Sequence, residues 1–86
     1  MLLNIINAKY IKSYEIWLEF DNGLEKIVDL KDVIFNDHRK IFEPLRDMEY
    51  FKKFRIKYNT IVWPNEADFA PEFLCEIGKE VEKVAQ

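Results

Sequence analysis

The residue types best suited to bind a cation lie close together in one short polar turn. Asn65, Glu66 and Asp68 bring an amide and two carboxylates into this turn, and hard cations take oxygen ligands. Asn and Asp also stabilise turns by accepting hydrogen bonds from nearby backbone N–H groups, and Asp68 is well placed to cap a helix that begins at Pro71. Because the oxygen ligands are too few for a calcium-binding loop, we predict a structural turn and no metal. Its residues are Trp63, Pro64, Asn65, Asp68 and Pro71.

Nucleophilic chemistry has few candidates in this sequence. His38 is the only histidine, and histidine is a common general base in enzymes, but neither Ser13 nor Cys75 is near it in sequence. A single cysteine excludes a disulfide within the chain and a zinc site built from cysteines alone. We therefore predict that His38 is a solvated loop residue and that Cys75 is a small buried apolar residue. We expect no catalytic residue and no cofactor.

A basic run interleaved with aromatic residues resembles a nucleic-acid surface, on which cations contact phosphates and rings stack on bases. Its members are Lys52, Lys53, Arg55 and Lys57, with Phe51, Phe54 and Tyr58 between and around them. The formal net charge of −3 opposes this interpretation, because nucleic-acid-binding domains are usually basic. Phe51 and Phe54 are also spaced to share one helix face turned to the core. We expect no nucleic acid partner and retain the four basic residues as candidates for binding another partner.

Trp17 is the sharpest indication of a partner surface. Alternation along residues 15–20 places three apolar residues on one face of a strand and Trp17, between two glutamates, on the other. Exposed tryptophans are enriched among the residues that dominate protein interfaces. Alternatively, the C-terminal helix or a second subunit covers this face, so a homodimer also stays open. Trp17 and the nearby Tyr14 are therefore candidates for binding a protein partner.

Length and composition predict one cytoplasmic domain over residues 1–86. Of the 86 residues, 15% are aromatic, which is enough to build a dense small core. The N-terminus has no basic segment before a long apolar run, so we expect no signal peptide. No stretch approaches the roughly 20 apolar residues that a membrane-spanning helix needs. The single cysteine is typical of a reducing compartment.

Strands are predicted at both ends of a hairpin and late in the chain. Residues 5–12 form the first strand, and residues 15–20 the second. Asn22-Gly23 tolerates the positive φ angles of a tight turn, so residues 24–28 return as the third strand. A further strand region covers 55–63, broken near Asn59. The residues predicted to share one face of the first strand are Ile6, Ala8 and Tyr10.

Short helices complete an α+β prediction. Asp29 begins one helix, and Asp47 caps a second helix over 48–54. A third helix begins at Pro71, a favourable first-turn residue, and residues 76–86 either continue it or fray. We predict a small antiparallel sheet, made from the N-terminal strands, the hairpin and a later strand, with the short helices packed on one face.

Several segments, taken in order, resemble one bacterial family. The segments are 18–23, 28–30, 42–47, 50–51, 60–65 and 67–68. With them the chain is similar to the domain of unknown function 2442 family over residues 5–75, and the joint occurrence of the Trp-Pro-Asn and Phe-Glu-Pro-Leu turns makes the resemblance fairly specific. The chain departs from the usual pattern of the family at Met48, where proline is common, and at Glu66, where glycine is common. The resemblance implies a small bacterial α+β domain without a settled activity.

The resemblance also bears on partners. Some relatives are similar to the N-terminal part of helix-turn-helix proteins, and others are encoded beside a second small protein, as toxin–antitoxin pairs are. The residues after Cys75 do not resemble a helix-turn-helix, so the resemblance does not imply DNA binding by that route.

Three functions stay open. We favour a non-enzymatic protein-interaction module, the antitoxin-like or regulatory member of a two-protein pair, because no catalytic constellation is evident. The alternatives are a transcription-linked accessory or DNA-binding domain, and an enzyme with a site on Asp21, His38 and Asp68.

Overall fold

Three strands, three short helices, two strands, one helix and one strand follow in this order along the part of the chain that the computed structural model describes, residues 2–81. The strands are β1 (Ile5–Lys12), β2 (Glu15–Phe20), β3 (Glu25–Asp29), β4 (Arg55–Lys57), β5 (Thr60–Val62) and β6 (Lys79–Glu80). The helices are α1 (Lys31–Asn36), a 3₁₀ helix (Lys40–Arg46), α2 (Met48–Phe51) and α3 (Pro71–Ile77).

Two antiparallel sheets organise these elements. β1, β2, β3 and β6 form a four-stranded sheet in that order, while β4 and β5 form a separate two-stranded sheet. Buried residues of all four helices join one core with the inward residues of β2, so the helices pack on one face of the larger sheet. The predicted α+β class is confirmed. The late strand that joins the larger sheet is β6, however, and not the strand predicted within 55–63.

The central hairpin follows the sequence pattern closely. Gly23 has a φ of +91°, and the N–H of Phe20 donates to the carbonyl of Leu24 at 2.8 Å. Along β2, Ile16, Leu18 and Phe20 are fully buried, as alternation predicts. This turn and this alternation together fix which side chains of β2 face the helices.

The prediction that Ile6 shares the core-facing side of β1 with Ala8 and Tyr10 is wrong. The register of β1 against β2 shifts between Ile5 and Asn7, which is the mark of a β-bulge. Ile5 consequently lies in the core, whereas Ile6 is 56% exposed. Ala8 and Tyr10, beyond the bulge, do pack against the core as predicted.

The second predicted helix is shorter than its sequence pattern suggests. Asp47 caps α2 as predicted, since its side chain accepts a hydrogen bond from the N–H of Glu49. The helix ends at Phe51, because the N–H of Lys53 donates to the carbonyl of Tyr50 at 2.9 Å and closes a tight turn before β4. Phe51, the last residue of this short helix, lies in the core.

The chain after α3 also differs from the predicted helix over 76–86. Pro71 begins α3 as predicted, but the helix ends at Ile77 and the chain continues as β6 beside β3. A Cβ on Gly78 would lie 2.9 Å from the Cβ of Lys26, so glycine permits a close approach to the sheet here. Residues 82–86 of that prediction lie outside the described part.

Trp63 occupies the centre of the core. Its side chain is 1% exposed and is among the largest fully buried side chains of the described residues. The indole Nε1–H donates to the carbonyl of Phe51 at 2.8 Å, and the ring lies 5.7 Å from that of Phe51 and 5.9 Å from that of Phe69. Trp63 therefore connects α2, β5 and the segment leading to α3.

Replacing Trp63 with alanine should destabilise the fold by about 3–5 kcal/mol, the usual cost of truncating a buried aromatic residue. A chain of this length has a total stability of about 4–13 kcal/mol, so the loss is severe. Trp63→Phe keeps a ring but leaves the Phe51 carbonyl without its donor, and we expect a cost of about 1–3 kcal/mol. Urea unfolding followed by circular dichroism measures both. Unchanged unfolding midpoints would contradict the central role of this side chain.

The turn that follows Trp63 contains a left-handed residue. The N–H of Glu66 donates to the carbonyl of Trp63, and the N–H of Trp63 donates to the carbonyl of Ala67, both at 2.9 Å. Glu66 has a φ of +70°, a conformation that glycine adopts without steric cost. This backbone geometry gives a physical reason why glycine is common at the position of Glu66 in the family that the sequence resembles.

Glu66→Gly should be about 1 kcal/mol more stable than Glu66→Ala, because only alanine keeps a Cβ in the left-handed conformation. Both variants remove the same contact, the ion pair at 3.4 Å between Glu66 and Lys57, so their comparison isolates the backbone. Parallel thermal unfolding of the two proteins tests this. An alanine variant at least as stable as the glycine variant would show that the backbone is not strained here.

Candidate functional site

Trp17 lies at the centre of the sheet face opposite the helices, which we call the outer face. The strand register places it directly between Lys9 on β1 and Ile27 on β3. The indole is half-buried; its Nε1–H donates to Oε1 of Glu25 at 3.2 Å, and Nζ of Lys9 lies 5.8 Å from the ring centroid. These neighbours position the ring on the surface of the sheet.

Carboxylates flank this central row on both sides. Glu15 lies opposite Asp29, and Glu19 lies opposite Glu25, across the β2–β3 pair. Directly opposed like charges destabilise a sheet, so this arrangement costs stability. It also concentrates negative charge beside the apolar surface of Trp17, because Glu25 and Asp29 of β3 join the two glutamates of β2.

A surface pocket of about 170 Å³ opens at the edge of the outer face, and we call it the edge pocket. It is lined by Glu15, Ile27, Asp29, Ile77 and Lys79. Ile27 and Ile77 give it apolar walls, and the side chain of Ile77 is 37% exposed. Such a pocket has the size and polarity to accept one elongated side chain. The sequence did not indicate this pocket, because a helix or frayed segment over 76–86 gives no reason to expect Lys79 in a strand beside Ile27.

Tyr14 does not share this surface with Trp17. Its side chain is 7% exposed, its ring lies 5.1 Å from that of Phe51 and 5.4 Å from that of Phe35, and its hydroxyl donates to the carbonyl of Arg46. Strand alternation ends at the turn before Tyr14, and the ring turns into the core. We therefore remove Tyr14 from the surface proposed for a partner.

The basic candidates form a second surface. They are Lys52, Lys53, Arg55 and Lys57, and all are exposed. They belong to the end of α2 and to β4, not to the larger sheet. Two of them already contact acids, since Lys52 pairs with Glu49 at 3.2 Å and Lys57 pairs with Glu66 at 3.4 Å.

An unusual aromatic residue lies beside Lys57, one of these cations. Tyr58 is 72% exposed at the tip of the β4–β5 hairpin, and its φ of +54° is rare for a bulky residue. Nζ of Lys57 lies 5.0 Å from its ring centroid. Phe51 is buried and Phe54 is packed against the core, so Tyr58 alone of the three predicted aromatic platforms projects from the surface.

The polar turn after Trp63 is bonded to the protein itself. The side chain of Asn65 donates to the carbonyl of Ile41 at 2.8 Å and accepts from the N–H of Ala67 at 3.1 Å. Asp68 does not cap α3, because Ala70 occupies the N-cap position without a side-chain bond. Within residues 2–81, no cluster of three or more potential metal-ligating side chains occurs.

Altered pKa values in the described structure accompany local contacts between surface groups. Hydrogen bonds from Arg39 lower the pKa of Asp37 to about 2, and the two side chains approach to 2.7 Å. A side-chain hydrogen bond from Asn4 lowers the pKa of Asp21. The first contact lies within one loop, whereas the second joins the segment before β1 to the β2–β3 turn. The charge of His38 makes the smallest contribution to lowering the pKa of Asp37.

The residues of the hypothetical enzyme site belong to three separate segments. Asp21 lies in the β2–β3 turn and is bonded to Asn4 at 2.6 Å, while His38 is exposed in the loop after α1. Asp68 forms a bridge with Val62 next to β5. None of the three lines the edge pocket or the pocket beside Arg55 and Lys57.

Comparison with known proteins identifies a family and little else. In the described residues, we find no helix with the length and apolar character required to cross a bilayer. Neither the curated proteins nor the solved structures contain a significant match to the chain. A family model described as "Protein of unknown function (DUF2442)" matches residues 5–80. Because the match covers most of the chain, the protein belongs to the DUF2442 family.

Proposed function

We propose that this protein is a non-enzymatic interaction module that binds another protein through the outer face of its sheet. The observation that supports this function is the position of Trp17, which lies half-buried at the centre of a face opposite the helices. Tryptophan offers a large contact area and dominates many interfaces when a partner desolvates it. Ile27 beside it extends the apolar centre.

The surroundings of Trp17 resemble the layout of a binding surface. Interfaces have an apolar centre and a polar rim, and here Glu15 and Glu19 lie on either side of the Trp17–Ile27 row. From strand spacing and rise, the face measures roughly 15–20 Å in each direction. The corresponding area of roughly 200–400 Å² is about a quarter to a half of the roughly 800 Å² that one partner contributes to a standard interface, so the face suits one strand or helix of a partner.

We place this interaction in the cytoplasm, with the protein as the antitoxin-like or regulatory member of a two-protein pair. The support is the family resemblance, because some relatives are encoded beside a second small protein. The partner would then be the product of the neighbouring reading frame. A second copy of this chain is the competing occupant.

Co-expression with that product tests the function. Trp17→Thr keeps a strand-compatible residue and should weaken binding at least tenfold, or about 1.4 kcal/mol, without a large change in melting temperature. Ile41→Thr, at a residue that is 41% exposed on the 3₁₀ helix, is the matched control and should bind like wild type. Failure of the wild-type protein to co-purify with the product, or full binding by Trp17→Thr, would overturn the proposal. Size-exclusion chromatography of the protein alone reports homodimers.

The basic surface favours a second candidate function, an accessory DNA-binding domain. Four exposed cations follow one another at the end of α2 and along β4, and Nζ of Lys57 lies 5.0 Å from the projecting ring of Tyr58. Arg55 and Lys57 also line a pocket of about 160 Å³. Rings and cations together bind unpaired bases and phosphates. The acidic net charge of −3 is the reason for ranking this function second.

A gel-shift assay at low salt with DNA from the protein's own promoter distinguishes this function. If it holds, the wild-type protein retards the DNA, and the double variant Arg55→Gln, Lys57→Gln binds several-fold more weakly because two phosphate contacts are lost. Glu15→Gln, on the outer face, should bind as the wild type does. No retardation at low salt would remove DNA binding.

A further inference from the structure

Building on the proposed function, we infer that the edge pocket receives an arginine side chain of the partner protein. The pocket adjoins the Trp17–Ile27 row, because Ile27 belongs to both. A partner segment that covers Trp17 would therefore pass over the pocket. The chemistry of the pocket walls then selects the side chain that enters.

The walls suit an aliphatic stem that ends in a cation. Ile27 and Ile77 offer apolar surface, and the methylene groups of arginine pack on such surface while the guanidinium stays at the polar end. Glu15 and Asp29 lie directly opposite each other across β2 and β3, with their Cβ atoms about 4.5–5.5 Å apart by sheet geometry. A planar guanidinium placed there can donate to both carboxylates.

The carboxylates are available for this role. Oδ1 of Asp29 accepts a hydrogen bond from the N–H of Lys31 at 3.0 Å, and in residues 2–81 neither Glu15 nor Asp29 forms an ion pair. Lys79 also lines the pocket, opposite Ile27 on β3, so the lining has two carboxylates and one ammonium. A bound guanidinium would relieve the repulsion between the opposed carboxylates.

A second copy of the chain fits this face less well. Packed sheets are commonly aligned to within about 30°. With strands aligned and Trp17 at the centre, either twofold axis would place Glu15 of one copy over Glu15 or Glu19 of the other. The axis across the strands would also place Lys9 over Lys9. A cationic segment of a different protein avoids these repulsions.

The test uses a small probe, so it does not depend on identifying the partner. N-acetyl-arginine methylamide is titrated into the labelled full-length protein, and its neutral isostere N-acetyl-citrulline methylamide serves as the reference probe. Arginine should shift the methyl signals of Ile27 and Ile77 saturably, with at least threefold higher affinity than citrulline. The methyl signals of Ile56, which is 41% exposed on β4, should not move.

Two double variants with equal net charge complete the experiment. Glu15→Gln, Asp29→Asn keeps the oxygen that accepts from Lys31 but removes both charges, and it should abolish the preference for arginine. Glu43→Gln, Asp68→Asn removes two exposed carboxylates elsewhere and should retain the preference. Equal shifts with both probes, or an unchanged preference in the first variant, would overturn the inference.

The outcomes also separate this inference from the proposed function. If Trp17→Thr loses the partner while the pocket shows no preference for arginine, the interaction function stands and the arginine pocket is wrong. If arginine binds but Trp17→Thr retains the partner, the pocket stands and the proposed route of partner binding is wrong.

Discussion

The buried hydrogen bond from the Trp63 indole to the carbonyl of Phe51 is the constraint on which much of the fold depends. A buried indole N–H needs an acceptor, and this one is the carbonyl of Phe51, the last residue of α2. The bond fixes where α2 must stop relative to β5. Nearby, the hydroxyl of Thr60 donates to the carbonyl of Phe69 at 2.6 Å, which holds the segment leading to α3 against the same strand. Two polar contacts thus determine the path of the second half of the chain.

The sequence predicts the central hairpin well because local and tertiary preferences agree there. Asn22-Gly23 marks the turn, and strict alternation sets the inward face of β2. The register does not follow from these, because a two-residue Asn-Gly loop would pair Trp17 with Val28, whereas the observed loop has three residues and pairs Trp17 with Ile27. Prediction from the sequence fails where tertiary contacts determine which residues are buried or paired. Ile5 and Ile6 are equally apolar, so only the bulge determines which is buried. β6 has two charged residues and no pattern, and it forms because Gly78 lets the chain approach β3.

The candidate site shows the same division. Trp17 and its acidic neighbours could be placed from β2 alone, although their cross-strand partners depend on the length of the hairpin loop. The edge pocket could not, because it needs Ile77 from the end of α3 and Lys79 from β6. The burial of Tyr14 could not be predicted from its side-chain type either. Its burial depends on contacts with Phe51 and the carbonyl of Arg46, both far away in sequence.

The form of the two sheet edges has a consequence for how copies of this protein behave toward one another. β1 has register shifts near both ends and presents Lys9 and Lys12, while β6 at the opposite edge comprises, within the described part of the chain, the charged residues Lys79 and Glu80. Irregular, charged or very short edges are poor templates for a further strand. Growth of the sheet from molecule to molecule is therefore discouraged at both ends. The aromatic outer face can stay accessible without the chain polymerising.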